Sequence, residues 1–385
     1  MKGNHLILWE SPQASPVAAR VAVAGDFLPA GKLALSTGSR WSEMASPLAD
    51  HFDDVAASFA NLESTLDTEG FFPARRLCGI GEIVSAPRTA LEYLGAIYSR
   101  AVGIANNHSY DFGPMGVERT RDAISKFGMV PLGAGRTLKD APEVHVWQGP
   151  GDIRIGFWAA AAATHDPATR RTPGVEPASV GRAAEALETM KRLGARFSIA
   201  LLHAGCLRTN RPDREQVALM DSIAKCGFGV VACSHSHRIS GAKMIAAQED
   251  TPSFCFYGLG SLVSGYAASV PEREGLIVAA GFDSGGHLAR IEVRPVLLGT
   301  AGFGEIPSPE MRRNILRRFA ELCGEIAEGS YERLFYEDVS RGLMRLYLRD
   351  MRAAYRESGI RGVAEKVSHA RMRHAQRLFH RVIPS

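Results

Sequence analysis

The sequence has few cysteines, and none of them forms a close pair. Six cysteines in 385 residues lie far apart, and several fall within apolar runs. Because no Cys-x-x-Cys pair is present, a zinc site held by closely spaced thiolates is excluded. We expect the cysteines to be buried, reduced thiols. The six are Cys78, Cys206, Cys226, Cys233, Cys255 and Cys323.

A large charge excess and long apolar runs are also missing. Lysine and arginine number 45 against 41 acidic residues, and this net charge of +4 is too small to predict a nucleic-acid partner. The stretch Met1–Ala24 has only short apolar pieces, broken by polar residues and prolines, so it predicts neither a signal peptide nor a membrane span. We therefore expect a cytoplasmic protein without a membrane partner.

The sequence does contain an alternation of strand-like and helix-like segments. Because 45% of the residues are hydrophobic, the chain can bury a large core. Alternation of this kind is typical of layered α/β domains. The predicted strands are Val21–Ala24, Val102–Ala105, Ile153–Ala161, Ile199–Leu202, Val230–Cys233 and Phe254–Tyr257, followed by a hairpin of Leu276–Phe282 and Leu288–Leu298. The predicted helices are Gly116–Phe127, Val180–Leu193 and Arg214–Cys226.

Residues that commonly bind metals follow several of the apolar runs. Because the carboxyl ends of strands in an α/β sheet meet at one crevice, we expect these side chains to come together. A single histidine, a His-x-His pair or an aspartate after glycine often has a structural role, so the prediction depends on the joint pattern. The residues are Asp26, Glu63, Asn107, His108, His203, His235 and His237.

The chemistry of this set favours a transition metal or zinc. Carboxylates, an amide oxygen and neutral imidazoles suit Mn, Fe or Zn better than Ca or Mg. A carboxylate such as Glu63 can bridge two cations about 3.5 to 4 Å apart, and water between such cations loses a proton near neutral pH. We therefore predict one or two divalent metal ions, Mn, Fe or Zn, as cofactors.

A series of short motifs resembles a known family. The series is similar to that of the CapA (poly-γ-glutamate capsule synthesis) family, which belongs with the calcineurin-like metallophosphatases. The resemblance covers roughly residues 20 to 300 and implies a layered α/β/β/α sandwich. With the pattern along the chain, it divides the sequence into an N-terminal segment (1–19), a metallophosphatase-like domain (20–303) and a basic helical C-terminal extension (304–385). The motifs are Gly25-Asp26, Asn61-Leu62-Glu63, Asn106-Asn107-His108 with Asp111 and Gly113, Leu202-His203, and His235-Ser236-His237.

The same resemblance implies a role for each residue of the set. His108 would not bind metal but would protonate a leaving oxygen, and Asp111 would orient its ring. A turn role for Asp111 is an equal alternative. Asp26 and His237 would hold one metal, Glu63 would bridge, and Asn107, His203 and His235 would hold the second.

The chain departs at several places from the usual phosphatase pattern or from the pattern of the capsule family. Leu28 stands where phosphatases usually have a histidine, and Glu63 stands where they carry a bridging aspartate. After His203 the family usually shows Trp-Gly and an acidic residue, whereas this chain has Ala204-Gly205-Cys206. The resemblance therefore implies an altered substrate pocket. Cys206 is either a free thiol or, less readily, a ligand or nucleophile of the site.

Arginines near the predicted crevice are candidates for substrate binding. Arg208 and Arg211 follow His203, and Arg136 follows the glycine-rich Gly133-Ala134-Gly135. Guanidinium groups bind carboxylates and phosphates, so the predicted partner is an anionic small-molecule or peptide-like substrate. Solvated loops are the alternative for each arginine.

The sequence pattern changes after Pro307, where helical periodicity and a high arginine content begin. The segments Met311–Ala327, Tyr331–Arg356 and Val363–Val382 are strongly helical in pattern and rich in arginine. Apolar residues recur at helical spacing in the first segment, so one face is expected to pack on the core or on a second subunit of a homo-oligomer.

Two function classes follow from these observations. The first is a metal-dependent hydrolase of the CapA and calcineurin-like type, in which a metal-bound hydroxide attacks a phosphoester or amide-like bond and His108 acts as the acid. The alternative is a capsule-type, poly-γ-glutamate biosynthetic protein that binds or transfers acidic peptide or amide substrates without phosphatase activity.

Overall fold

The computed structural model describes residues 5–340 except 14–15, 32, 34–37, 39, 71–72, 74–82, 163–165, 247–251 and 268. The strands are β1 Leu6–Glu10, β2 Ala19–Leu28, β3 Val55–Leu62, β4 Thr65–Leu66, β5 Ser85–Ala86, β6 Ser99–Gly103, β7 Val130–Leu132, β8 Ala134–Arg136, β9 Val144–Gln148, β10 Arg154–Ala161, β11 Gly174–Val175, β12 Phe197–His203, β13 Val230–Ser234, β14 Ala242–Ile245, β15 Ser253–Phe256, β16 Ser261–Ser264, β17 Glu274–Phe282, β18 Leu288–Leu298 and β19 Gly304–Glu305. The α-helices are α1 Leu91–Ala96, α2 Gly113–Lys126, α3 Val180–Arg192, α4 Arg214–Lys225 and α5 Pro309–Glu328, and 3-10 helices span Glu43–His51, Arg88–Ala90 and Val270–Arg273.

Two large sheets hold most of the strands. The described residues form a nine-stranded sheet in the order β1-β18-β17-β2-β3-β6-β7, with β16 beside β2 and β19 beside β18. They also form a six-stranded sheet in the order β14-β15-β13-β12-β10-β9. Strands β2, β3, β6 and β7 run parallel, as do β10, β12, β13 and β15. Each sheet therefore presents a row of neighbouring carboxyl ends, where an α/β sheet places its ligands.

The two sheets pack face to face through apolar side chains. The ring of Phe59 in β3 lies 5.0 Å from that of Phe157 in β10, and Phe197 in β12 lies 5.1 Å from Phe282 in β17. Both pairs are edge-to-face contacts, which add to the burial of apolar area. A single core cluster thus joins the sheets.

Helices cover the outer faces of both sheets. Because side chains alternate along a strand, Trp158 points away from its neighbour Phe157 and packs with Met190 of α3 and Met220 of α4. On the nine-stranded sheet, Phe27 of β2 stacks on Tyr93 of α1 with ring centroids 5.3 Å apart. The predicted α/β/β/α layering is confirmed. Burial on both faces explains why these strands are continuous apolar runs.

The predicted elements match the structure closely where the pattern was strong. The hairpin is confirmed, since β17 and β18 pair antiparallel. Helix α2 begins at Gly113, three residues before its predicted start, because Pro114 fits the first helical turn, where its missing N–H costs nothing. Residues 331–340 are helical, whereas the rest of Tyr331–Arg356 and all of Val363–Val382 lie outside the described residues.

The chain divides into two compact units, residues 1–332 and 333–385. Helix α5 belongs to the first unit. The predicted domain boundary at residue 303 stays a prediction. Across the described part of the chain, every helix is too short or too polar to cross a membrane.

His51 links the pH to the stability of the fold. It is buried at the end of the 3-10 helix Glu43–His51, and its Nε2 donates to the carbonyl oxygen of Pro295 over 2.9 Å. Burial, helped by the charge of Arg294, lowers the pKa of His51 from 6.5 to about 4. The neutral ring therefore stabilises the fold fully above pH 6.5, and this contribution is lost as the pH falls towards 4.

We expect His51→Gln to remove this pH dependence. From neutral pH to about pH 4, the free energy of unfolding of the wild type should fall by about 3 kcal/mol more than that of the variant. Urea unfolding across this range measures the difference, with His287→Gln, at an exposed histidine, as the control. Parallel curves for wild type and His51→Gln would contradict the assignment.

Candidate metal centre

Five strand ends carry the predicted metal-binding residues. Asp26 lies in β2, Glu63 follows β3, and Asn107 follows β6. His203 ends β12, whereas His235 and His237 follow β13. The first three strands belong to the nine-stranded sheet and the other two to the six-stranded sheet. The site therefore lies where the carboxyl ends of both sheets meet, rather than at the crevice of one open sheet.

One group of side chains comprises Asp26, Glu63 and His237. A ligand atom from each lies within 4.8 Å of the others. The Nδ1 of His237 is 3.2 Å from Oδ2 of Asp26, and its Nε2 is 3.7 Å from Oε2 of Glu63. Two carboxylates and one imidazole at these distances can surround a divalent cation.

A second group comprises Glu63, His203 and His235, again within 4.8 Å of one another. The Nε2 of His203 is 3.5 Å from Oε1 of Glu63, 2.9 Å from Nδ1 of His235 and 2.6 Å from Oδ1 of Asn107. Glu63 belongs to both groups. The structure thus brings these side chains together, and their division between two metal ions stays a prediction.

Glu63 is the strongest local indication that cations belong here. It is buried, and among the described residues neither of its carboxylate oxygens has a hydrogen-bond partner. Burial and the negative charge of Asp26 raise the pKa of Glu63 well above its usual value. An orphaned buried carboxylate is costly unless a cation compensates it. The donor set therefore fits one or two divalent metals.

Burial and neighbouring charges shift the pKa values of Asp26, His237 and His203 in different directions. Burial alone would raise the pKa of Asp26, but the hydrogen bond and charge of His237, with the hydrogen bond from the His235 backbone, hold it well below its usual value. Burial opposes protonation of His237, yet Glu63 and Asp26, with Glu272, raise its pKa to about 9. Burial and the neighbouring His235 lower the pKa of His203 well below 6.5, so this ring is neutral and free to bind metal.

The turn after β13 is strained in a way that separates its two histidines. His235 and His237 have positive φ angles of 105° and 55°, which are unfavourable for residues with a side chain. The backbone N–H of His235 donates to Oδ2 of Asp26 over 3.0 Å, which helps to hold the turn. Because of this geometry the two imidazoles enter different ligand groups, one of the two arrangements that the His-x-His spacing allows.

Two asparagines support the ligands, and sequence reasoning assigned no role to either. Asn61 donates from Nδ2 to Oδ1 of Asp26 over 2.7 Å. Asn106 donates from Nδ2 to Oδ1 of Asn61 over 3.2 Å and to the Leu62 carbonyl over 2.8 Å, and it accepts from the N–H of His108 over 3.0 Å. The pair ties the loop after β6 to β3. Both asparagines lie inside the motifs that carry the family resemblance, and this position is the sequence signal by which their role could have been found.

His108 and Asp111 form a hydrogen-bonded pair beside the two groups. The Nδ1 of His108 lies 2.7 Å from Oδ2 of Asp111, which also accepts from the N–H of Val84 over 2.8 Å. Thr65 donates to the His108 carbonyl over 3.0 Å. His108 belongs to neither ligand group. Because Asp111 holds Nδ1, the Nε2 of His108 is the atom left for proton transfer.

The candidate substrate-binding arginines have different surroundings. Arg211 donates two short hydrogen bonds to the carboxylate of Glu325 in α5, from Nε over 2.7 Å and from Nη2 over 2.6 Å. Arg136 is half exposed, 3.9 Å from Glu143. Arg208 is the most exposed of the three and lies 3.6 Å from Glu272. Substrate binding by these arginines stays a prediction.

Cys206 is exposed and belongs to neither ligand group. Burial of its sulfur and the charge of Asp213 raise the pKa of the thiol. A reactive nucleophile needs the opposite shift. The free thiol is therefore the interpretation that the structure favours.

Two facing sheets with outer helices, and carboxylates and histidines gathered at the strand ends, define a layered fold of the calcineurin-like metallophosphatase type. Residues 20–266 match the model of the bacterial capsule synthesis protein PGA_cap family. The chain belongs to that family.

Curated relatives carry related names. The chain is 26% identical over 168 residues to the capsule biosynthesis protein CapA of Bacillus anthracis, covering 42% of this chain and 39% of the relative. It is 26% identical over 162 residues to the PGA biosynthesis protein CapA of Bacillus subtilis (strain 168), covering 41% of each chain. The matched region thus spans about two fifths of these relatives.

Solved structures with a partial likeness include two nucleotidases. The 5'-nucleotidase precursor of Thermus thermophilus aligns with a TM-score of 0.45 and 13% identity, covering 79% of this chain and 58% of that one. The 5'-nucleotidase of Candida albicans aligns with a TM-score of 0.39 and 8% identity, covering 80% and 58%.

Proposed function

We propose that this protein is a metal-dependent hydrolase that cleaves a phosphoester or an amide-like bond. The observation that carries the proposal is the buried carboxylate of Glu63, shared by two groups of ligand atoms and lacking a hydrogen bond in the described part of the chain. Mn, Fe or Zn are the cations that suit this mixture of oxygen and nitrogen donors.

The position of each residue in the site determines its proposed role. Asp26, Glu63 and His237 would hold one cation, and Asn107, His203 and His235 would hold a second with Glu63. When bound, such cations supply Lewis-acid activation of water and of a substrate oxygen. Asn61 keeps the carboxylate of Asp26 oriented, since it donates to the oxygen that faces away from His237. Burial of the ligands excludes bulk water and strengthens every charge interaction.

His108 would act on the leaving group. Its Nδ1 is held by Asp111, so its Nε2 can carry a proton to the leaving oxygen or nitrogen. The carboxylate of Asp111 fixes the orientation of the ring. Val84 in turn fixes Asp111 through its backbone N–H.

A second candidate is a biosynthetic role without phosphoester hydrolysis. The family and the curated relatives are named for capsule or PGA biosynthesis, and this observation favours a protein that binds or transfers acidic peptide or amide substrates. The same metal ligands can serve either chemistry, so the substrate separates the two candidates.

A substrate screen distinguishes the candidates. Protein loaded with Mn is offered a panel of phosphoesters and a panel of γ-glutamyl and other amides. The hydrolase proposal predicts cleavage in at least one panel, loss of cleavage with a chelator and recovery when Mn or Fe is returned. The biosynthetic candidate predicts binding of acidic peptides without cleavage of the phosphoesters.

The control for the screen is a variant lacking ligands of both groups. Glu63→Ala with His235→Ala removes the shared carboxylate and one imidazole. Any cleavage should fall to background in this double variant. Unchanged activity there, or activity indifferent to chelation, would rule out the metal-dependent reaction.

A further inference from the structure

Two arginines share one buried carboxylate next to the metal-binding turn. The Nε of Arg208 is 3.6 Å from Oε1 of Glu272, and Nη2 of Arg238 is 3.5 Å from the same oxygen. Glu272 is only 6% exposed. Its other oxygen accepts from the N–H of Ser269 over 3.2 Å, in the capping box of the helix Val270–Arg273. The carboxylate is thus fixed in place by the backbone.

Both arginines are attached to the turn that carries the metal-binding histidines. Arg238 directly follows His237, and Ser236 donates to the Arg238 carbonyl over 3.0 Å. The backbone N–H of Arg208 donates to the Ser236 carbonyl over 2.9 Å, although its φ of 62° is unfavourable for a residue with a side chain. These contacts tie the backbone of both arginines to the turn that carries His235 and His237.

The charges at this edge are not balanced. Glu272 faces two guanidinium groups, and the next carboxylate along, Glu274, is paired with Arg318. Both contacts with Glu272 are long, unlike the two short bonds from Arg211 to Glu325. The Nε of Arg238 is buried without a hydrogen-bond partner in the described structure. The long 3.5 Å contact leaves Nη2 of Arg238 only weakly bound, and the side chain of Arg208 is 65% exposed, so its donors are accessible to an incoming ligand.

We propose that Arg208 and Arg238 together bind an oxyanion of the substrate, a carboxylate or a phosphate, beside the metal centre. Glu272 positions the two guanidinium groups. This inference rests on the proposed function and deepens it, because it predicts a substrate with an anionic group in addition to the bond that is cleaved. It also assigns Arg211 to packing, since Glu325 occupies its donors.

Anion binding to single variants tests the proposal. Calorimetric titration with inorganic phosphate and, separately, with glutarate compares wild type, Arg208→Gln, Arg238→Gln and the control Arg192→Gln, whose side chain lies exposed on α3. Charged hydrogen bonds of this kind predict at least about tenfold weaker binding in the first two variants and no change in the control. The probe that wild type binds more tightly identifies the oxyanion as phosphate or carboxylate.

Mn titrations of the same proteins separate this proposal from the proposed function. If all variants bind Mn as wild type does while Arg208→Gln and Arg238→Gln lose anion affinity, the arginine site is supported. Unchanged anion affinity with intact Mn binding overturns the arginine site and leaves the metal centre standing. If wild type binds none of Mn, Fe and Zn, the proposed function fails, and phosphate titration of the metal-free proteins still tests the arginines. Should Arg238→Gln fail to fold, the exposed Arg208→Gln decides the outcome.

Discussion

His108→Gln should lower kcat by about a hundredfold or more while leaving metal content unchanged. The imidazole belongs to neither ligand group, and its Nδ1 is held by Asp111, so its loss removes a proton donor rather than a ligand. The effect should depend on the leaving group. A nitrophenyl ester, which departs without a proton, should lose far less activity than an alkyl ester. Steady-state kinetics on both esters, with elemental analysis of each variant, measure this difference.

Asp111→Asn provides the matched comparison. It keeps the size of the side chain but weakens its hold on His108, and we expect a smaller decrease in kcat, about tenfold. His287→Gln, at an exposed histidine, should have no effect. Equal losses for the nitrophenyl and alkyl esters in His108→Gln, or a loss of metal from that variant, would contradict the role as an acid.

Glu63→Gln should have opposite effects on stability with and without metal. In the metal-free protein the buried carboxylate has no hydrogen bond from the described residues, so a neutral amide should raise the free energy of unfolding by about 1 to 3 kcal/mol. With Mn present the wild type gains the binding energy of its cations, whereas the variant has lost the shared ligand. The variant should therefore be the less stable protein.

Urea unfolding in chelator and in saturating Mn measures this reversal. Glu188→Gln, an exposed glutamate on α3, is the control and should shift neither curve. A variant that is less stable than wild type under both conditions would show that Glu63 is held by the protein itself. In that case the orphaned carboxylate could not serve as evidence for cations.

The positions of the predicted ligands could be anticipated because each depends on a local pattern. An apolar run followed by a polar metal-binding residue locates a strand end, and this held for Glu63 and His203, whereas β2 continues past Asp26 to Leu28. The layering was implied by the resemblance and by apolar runs buried on both faces. Which sheet each strand joins depends on pairing across the chain, so the joint contribution of two sheets was visible only in the structure.

The supporting contacts could not be predicted for a related reason. Asn61 reaches Asp26 across 35 positions of sequence, and Arg211 reaches Glu325 across 114. A hydrogen bond between distant residues leaves no periodic signal in the sequence. Arg238 was overlooked because its partner, Glu272, lies 34 residues away. The C-terminal arginines beyond residue 340 lie outside the described residues.

Metal stoichiometry is the most direct test of the candidate centre. Protein equilibrated with Mn, Fe or Zn and freed of loosely bound ions should contain up to two metal ions per chain by elemental analysis. The Glu63→Ala, His235→Ala variant should contain almost none, because both groups of ligand atoms lose a member. A wild-type stoichiometry near zero with all three metals would contradict the existence of the centre.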